Sequence, residues 1–465
     1  MKILHYLSGL PPVRGGGMIK YALDLIYSQQ KLGNDICILV PGRFSFFYQD
    51  ISRVEKVKWR KIDCYNIINP LPVSQGRKVC DVKTLYQDGK IELYSNLLND
   101  IQPDVIHIHS LMGMHLSFIK VAHKMHIPII YTTHDYYGIC PNLILLKDGK
   151  QCNKTDGSQC NTCLSGNLTE KKIRWEHSHT YSMLKNNCFI NWLEYSQKLV
   201  SLKIFIRSFL KKVKQINKSN SCLIEDSQKS NQEYFKLQNY YREMFEYVTK
   251  FHYNSVQSKE IFEQYLGNIS GEVVQISNRT IADHRKKRVY DKTLRIGFIG
   301  RGTYKGFDIL KEALQNMYLQ GMKDIECHVY FNPKEKLPDY IISHEPFDEK
   351  NTEKIYDNID ILVLPSIWKE TFGMVVLEAL SYGVPVIVSE NVGAKELLAE
   401  HENMGIVIKP TADALQETLT EIYCNREILE RMNRAICNWE KQFCYEDHVK
   451  KIIDLYHTAE EQNRK

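Results

Sequence analysis

The sequence predicts an α/β protein made of two parallel-sheet domains in series. Two observations carry this expectation. Strand-like and helix-like segments alternate in two separate runs, and at 465 residues the chain exceeds the size at which a single hydrophobic core keeps growing. Strands alternating with helices at this spacing imply right-handed βαβ units and parallel sheets. The first run opens with MKILHYL, passes through the glycine loop RGGG into the amphipathic MIKYALDLIYSQQKLG, and continues with DICILV. DVIHIHS, the helix-like MHLSFIKVAHKMH and the strand-like PIIYTTH repeat that order. After His134 the rhythm stops. Residues 140–250 read as a cysteine-bearing loop followed by long polar and basic helices, a helical insertion in the first domain.

The second run starts at LRIGFIG (Leu294 to Gly300) and continues through FDILKEALQNM, IECHVYF, IDILVLPS, TFGMVVLEALSYG and VPVIVSE. The polar segment RTIADHRKKRVYDKT separates the two runs and places a linker near Ser277 to Lys292. Helical patterns follow from Thr411, the last over roughly Glu446 to Glu461. The expected division is residues 1–276, residues 277–445, and a C-terminal helix over 446–465 that returns to the first domain.

Bulk properties narrow the class. With 43% hydrophobic and 25% charged residues the chain can bury two cores. Its longest apolar runs fall far short of the roughly 18 residues a membrane-spanning helix needs, so the expectation is a soluble or peripheral protein. MKILHYLSGLPP runs straight into Pro and Gly without the apolar core of a signal peptide, and reads as a first strand. Thirteen cysteines, an odd count and mostly scattered, speak against a disulfide framework and for a reducing cytoplasm. The net charge of +6 is uneven: between Lys171 and Lys218 eleven Lys or Arg face two acids, a net of +9 that leaves −3 for the rest.

Two motifs in the second run suggest chemistry. GRGTYKG, Gly300 to Gly306, sits between a strand and a helix, where glycines let backbone approach a phosphate and a helix N-terminus offers N–H groups. Arg301 and Lys305 within it suit a diphosphate; an ordinary turn with solvated basic residues is the alternative. In WKETFGMVVLEAL, Glu370 falls in a strand-to-helix loop at the carboxyl end of a parallel strand, where open α/β sheets bind ligands. Glu378 falls early in the following helix with Met374, Val375, Ser381 and Tyr382 as its angular neighbours, an apolar setting for a charge. A carboxylate can accept from two neighbouring hydroxyls, as a ribose or a sugar ring would demand, so the partner of Glu378 is expected to arrive with a ligand. There is no G-x-S-x-G elbow and no H-E-x-x-H.

The stretches GFIGRGTYKG, KETFGMVVLEAL and SYGVPVIVSENVGAKELL resemble family 4 of the GT-B glycosyltransferases, retaining enzymes that use nucleotide sugars. The likeness is strongest over Leu294 to Leu398 and extends through Gly15 to Gly17, PDVIHIHS, THD and FHYNSVQSKEIFEQYL. It implies a GT-B fold, two Rossmann-like domains facing each other across a cleft. It further implies that Arg301 and Lys305 bind the donor diphosphate beside Gly300, that Glu370 holds the transferred sugar, and that Glu378 holds the ribose. Backbone N–H groups at Phe372, Gly373 and Met374 would add phosphate and sugar contacts, Gly16 and Gly17 would line the cleft, and His134 would hydrogen-bond the sugar near the reacting carbon. Taken alone, His134 would read as a core histidine. The implied reaction moves a hexose-type sugar from a UDP-sugar, with GDP as the second choice, without a catalytic metal. The implied acceptor is a lipid-linked oligosaccharide of bacterial capsular or exopolysaccharide assembly, handled at the inner face of the plasma membrane. A GT-B epimerase or phosphorylase is the nearest alternative. A nucleic-acid-binding protein is a distant one, because it leaves both glutamates unexplained.

Two features remain. Cys140, Cys152, Cys160 and Cys163 fall within 24 residues, and four thiolates around a structural zinc would staple a loop with little apolar content; reduced, unligated cysteines are the alternative. The basic stretch at 198–218, above all KIFIRSFLKKVKQINK, sets apolar residues at helical spacing among cations, which suits an anionic membrane surface or a helix packed on the first domain.

Overall fold

The computed structural model describes residues 1–45, 52–153, 156–178, 180–181, 183, 227–300, 302–333, 336–345 and 351–464. It divides into two compact units, Met1–Leu143 with Asn153–Phe251 and Tyr456–Lys465, and Ile144–Cys152 with His252–Leu455. The second unit thus begins earlier along the chain than residue 277, and the basic stretch at 198–218 lies outside the described residues.

In the first unit the strands run in the order Lys250–Tyr253, Ile129–Thr132, Val105–Ile108, Lys2–Tyr6, Asp35–Pro41, Ile62–Ile68 and Arg53–Trp59. Pairing is parallel from Ile129–Thr132 across to Ile62–Ile68, and Arg53–Trp59 closes that edge as an antiparallel hairpin strand. The two hairpin-turn residues, Arg60 and Lys61, both have positive φ (47° and 72°), the conformation a two-residue hairpin requires. The apolar runs VIHI and IIYT are buried at every position, as expected of parallel strands covered on both faces. Helix Gly17–Lys31 buries Ile19, Ala22, Leu25 and Ile26, and with them the polar Gln29. The insertion contributes helix Ser227–Glu246, whose Tyr234, Leu237, Tyr241, Met244 and Phe245 are buried, so this part is held by an aromatic stripe on an otherwise polar helix.

The second unit is a six-stranded, all-parallel sheet in the order Ile341–Ser343, Ile325–Val329, Leu294–Phe298, Ile361–Leu364, Val386–Ser389, Gly405–Ile408. Along the chain this is 3-2-1-4-5-6, the doubly wound order, with the reversal between Leu294–Phe298 and Ile361–Leu364. Setting aside its hairpin edge, the first sheet has the same order, reversed between Lys2–Tyr6 and Val105–Ile108. The core of the second unit gathers Leu294, Ile296 and Phe298 with Leu310, Leu314, Leu415, Leu419 and Leu429. The polar stretch 277–292 forms neither helix nor strand but is strapped to this unit: Arg288 donates to the Ile359 carbonyl at 2.8 Å and Arg285 to that of Ile436 at 2.9 Å. Among the described residues ten cysteines are thiols and Cys80 is disulfide-bonded, where the sequence argues against a disulfide framework. No described helix is long and apolar enough to cross a membrane.

Burial makes the fold acid-sensitive. It depresses His5, His115 and His252 to about 4 and His448 to about 3. An unfolded histidine takes up its proton near pH 6.5 while these stay neutral, so their contribution is complete above that pH and is lost as pH falls toward 4. Each such group costs about 2 kcal/mol between pH 6.5 and pH 5. Thermal melts are therefore expected to show Tm dropping steeply from pH 7 to pH 5, and an unchanged Tm would contradict neutral burial of these rings.

Candidate functional site

Two loops leave the carboxyl ends of the strands that flank the reversal in the second unit. The first follows Leu294–Phe298, turns through Thr303–Lys305 and enters helix Phe307–Leu319 at Gly306. Gly306 has φ +85°, and a Cβ there would lie 2.0 Å from the Pro365 carbonyl oxygen, so the two loops touch backbone to backbone. The second loop follows Ile361–Leu364 and ends at Gly373, whose φ of 100° caps helix Met374–Ser381. Ile367 N–H donates to the Tyr304 carbonyl at 2.9 Å and locks the loops together.

This join brings Lys305 against Glu370. The ammonium donates to Glu370 Oε1 and lies 5.5 Å from the centroid of the Trp368 ring. Glu370 is only 6% exposed, and among the described residues its Oε2 is buried without a hydrogen-bond partner. A buried carboxylate oxygen left without a donor costs free energy comparable to a lost hydrogen bond, unless a ligand supplies one. The backbone around it is rigid: Glu370 N–H donates to the Asn391 carbonyl at 2.8 Å, and Gln257 Nε2 donates to the Glu370 carbonyl at 2.9 Å. Ser255, which caps helix Val256–Leu266, donates to the Thr371 carbonyl at 2.6 Å. Phe372 is buried, and its carbonyl accepts from Ala394 N–H at 2.7 Å. Gly373 and Met374 open the helix as the sequence suggested, and Gly300 packs beside the Lys305 stem. Arg301 lies outside the described residues.

Glu378 is buried, at 3% exposure, but its partner is not left to a ligand. Asn278 Nδ2 donates to one carboxylate oxygen and the Tyr356 hydroxyl to the other, each at 3.1 Å. Burial first and the Glu378 charge second keep Tyr356 protonated, its pKa well above the usual tyrosine value. The sequence reading missed this pair because Asn278 and Tyr356 reach Glu378 through space, and no periodicity links them. A carboxylate has lone pairs for more than two such bonds.

In the first unit Gly16, with φ +108°, precedes helix Gly17–Lys31, and a Cβ on either glycine would meet nothing within 4 Å. His134 follows strand Ile129–Thr132, half-buried, with its ring edge-on to Tyr21 of that helix at 5.0 Å and its Nε2 3.2 Å from His109 Nδ1. A cavity of about 630 Å³ opens beside the glycine loop, lined by Ser8, Pro12, Arg14, Arg43, Trp59 and His177 among others. The cysteine cluster is not gathered: among the described residues the one trio with potential ligand atoms within 4.8 Å of one another is His5, His107 and His109. The backbone N–H groups of Cys140 and Cys152 close local turns, to the Tyr136 and Leu145 carbonyls at 2.8 Å each. The zinc expectation therefore finds no support in the geometry.

Comparison with known proteins agrees with this layout. Residues 280–439 match the family described as glycosyl transferases group 1, and residues 15–151 match glycosyltransferase family 4. An uncharacterized 42.6 kDa protein in the cps region of Klebsiella pneumoniae is 24% identical over 353 residues, 74% of this chain and 67% of that one. Among solved structures, sucrose-phosphate synthase from Thermosynechococcus elongatus superposes with a TM-score of 0.56 at 13% identity, covering 98% of both chains. HepE of Anabaena, in complex with UDP and glucose, gives a TM-score of 0.55 at 13% identity over 98% of this chain and 100% of its own.

Proposed function

The chain belongs to the family 4 glycosyltransferases of the GT-B fold, and on that premise we propose that it moves a hexose-type sugar from a UDP-sugar to a lipid-linked acceptor in surface-polysaccharide assembly. The observation that carries the donor half is the Lys305–Glu370 pair at the strand-order reversal, with Glu370 Oε2 still in need of a donor. An ammonium has three N–H donors, so Lys305 can keep Glu370 and still reach a phosphate. The sugar's hydroxyls would then satisfy Glu370 Oε2, and the start of helix Met374–Ser381 would add N–H groups beside the leaving diphosphate. Glu378, oriented by Asn278 and Tyr356, would accept from the ribose. His134 would hydrogen-bond the transferred sugar, in a reaction that retains the anomeric configuration and draws its positive charge from Lys305 and Arg301. UDP in the HepE complex favours that base over GDP, and the cps-region setting of the Klebsiella relative favours a capsular product. The cavity beside the glycine loop, with Arg14, Arg43 and Trp59 on its wall, suits a sugar-bearing acceptor.

A thermal-shift series with UDP, GDP and UDP-sugars tests the donor. Ligand at about 100 times Kd should stabilise by about 2.7 kcal/mol. Glu378→Gln, which keeps the side-chain shape, is expected to weaken UDP binding at least about tenfold through loss of a charge-assisted bond. Full UDP affinity in that variant would remove the ribose role, and no shift with any nucleotide would overturn the proposed donor class.

A further inference from the structure

Seven side chains in the first unit form one continuous hydrogen-bonded file that ends at His134. Gln29 Oε1 meets His5 Nε2 at 2.8 Å, His5 Nδ1 meets His109 Nε2 at 3.1 Å, and His109 Nδ1 meets His134 Nε2 at 3.2 Å. In the other direction Gln29 Nε2 donates to the Tyr456 hydroxyl at 2.9 Å, which meets His107 Nδ1 at 2.6 Å, and His107 Nε2 meets Thr132 Oγ1 at 2.6 Å. All but His134 are at most 1% exposed. The rings are also stacked or tilted against one another, with His107 and His109 centroids 4.1 Å apart. His5, His107 and His109 superficially resemble a metal trio, but all six of their ring nitrogens are engaged in these bonds.

In such a file each proton position dictates the next. Gln29 Oε1 can only accept, so His5 carries its proton on Nε2 and accepts on Nδ1. His109 must then donate from Nε2 and accept on Nδ1, which obliges His134 to donate from Nε2. On the other arm Gln29 donates to Tyr456, Tyr456 donates to His107, and His107 donates to Thr132. Every member between the two ends, His134 and Thr132, both donates and accepts, so no single link can reverse alone. We propose that His5, His109 and Gln29 are positioning residues that fix the tautomer of His134, so that its Nδ1 meets the substrate as a hydrogen-bond acceptor for a sugar hydroxyl. The substrate part of this inference rests on the proposed role of His134, and the tautomer part does not.

The test is ¹⁵N NMR of full-length, histidine-labelled protein at pH 7.5, with the His134 signals assigned by His134→Asn. The expected result is a protonated Nε2 and an unprotonated Nδ1 at His134. Gln29→Met, which cuts the file two rings away from His134, should yield mixed tautomers there, with kcat for transfer falling about tenfold while donor KM holds. Tyr456→Phe removes the other bond that orients Gln29 and should move the tautomer ratio in the same direction, should Gln29→Met fail to fold. A protonated Nδ1 in the wild type, or a tautomer unmoved in the variants, overturns the inference. If the tautomers behave as expected but His134→Asn transfers sugar at the wild-type rate, the file stands and the role of His134 in the reaction falls.

Discussion

Replacing Lys305 with alanine is expected to lower kcat/KM for sugar transfer by about 10²- to 10³-fold, the usual cost of removing one charge-stabilising donor from a transition state. The loss should fall on kcat if, as proposed, the ammonium meets the negative charge that gathers on a departing diphosphate. Glu370, 6% exposed, would also lose the one side-chain donor it has among the described residues, so the variant should bind the sugar portion poorly. Lys305→Arg keeps the charge and should recover part of the rate. Cooperative unfolding of both variants, followed by circular dichroism, separates a chemical defect from a folding one. A Lys305→Ala protein with wild-type kcat would mean that the ion pair only staples two loops.

Gly306→Ala should be the most damaging small substitution in the second unit. The added methyl would stand 2.0 Å from the Pro365 oxygen on a backbone at φ +85°, and neither loop can retreat, because Ile367 is bonded to Tyr304. The expected loss is about 3 kcal/mol or more, read as a lower urea midpoint or as insoluble protein. Gly321→Ala is the control: its φ is +93°, but a Cβ there meets nothing within 4 Å. That change should cost only about 1–2 kcal/mol, the price of a left-handed alanine. Equal losses at the two positions would show that backbone strain, and not the contact between loops, dominates at Gly306.

The alternation of strands and helices was legible because parallel strands covered on both faces are buried and largely apolar, as VIHI, IIYT and ILVL are, with His107 and Thr132 as the polar exceptions. The neighbourhood of Lys305 and Glu370 was legible for a related reason: each lies just past such a strand, and the doubly wound order brings those two strand ends together. What could not be read was contact between distant segments. Asn278 and Tyr356 carry no mark that they serve Glu378, and Ser255 and Gln257 give no sign that they brace the Glu370 loop. The Arg53–Trp59 hairpin was missed because Arg60 and Lys61 take up positive φ without the Asn or Gly that announces such a turn. His5 and His107 are members of strands and His109 lies just past the end of one; their linkage appears only once Val105–Ile108 lies beside Lys2–Tyr6.

Leaving out the Arg53–Trp59 edge of the first, both sheets reverse their strand order at the same step, between their first and fourth strands. The residues proposed to contact ligands, Lys305, Glu370 and His134, lie in loops beyond strands of those sheets, while the buried strands themselves carry the stability. Sequence drift is therefore partitioned: changes in the strands are tested by folding, and changes in the loops by specificity. Each sheet has its own set of loops, so one specificity can wander while the other is held. A lineage of such proteins could trade one sugar or one acceptor for another without passing through an unfolded ancestor.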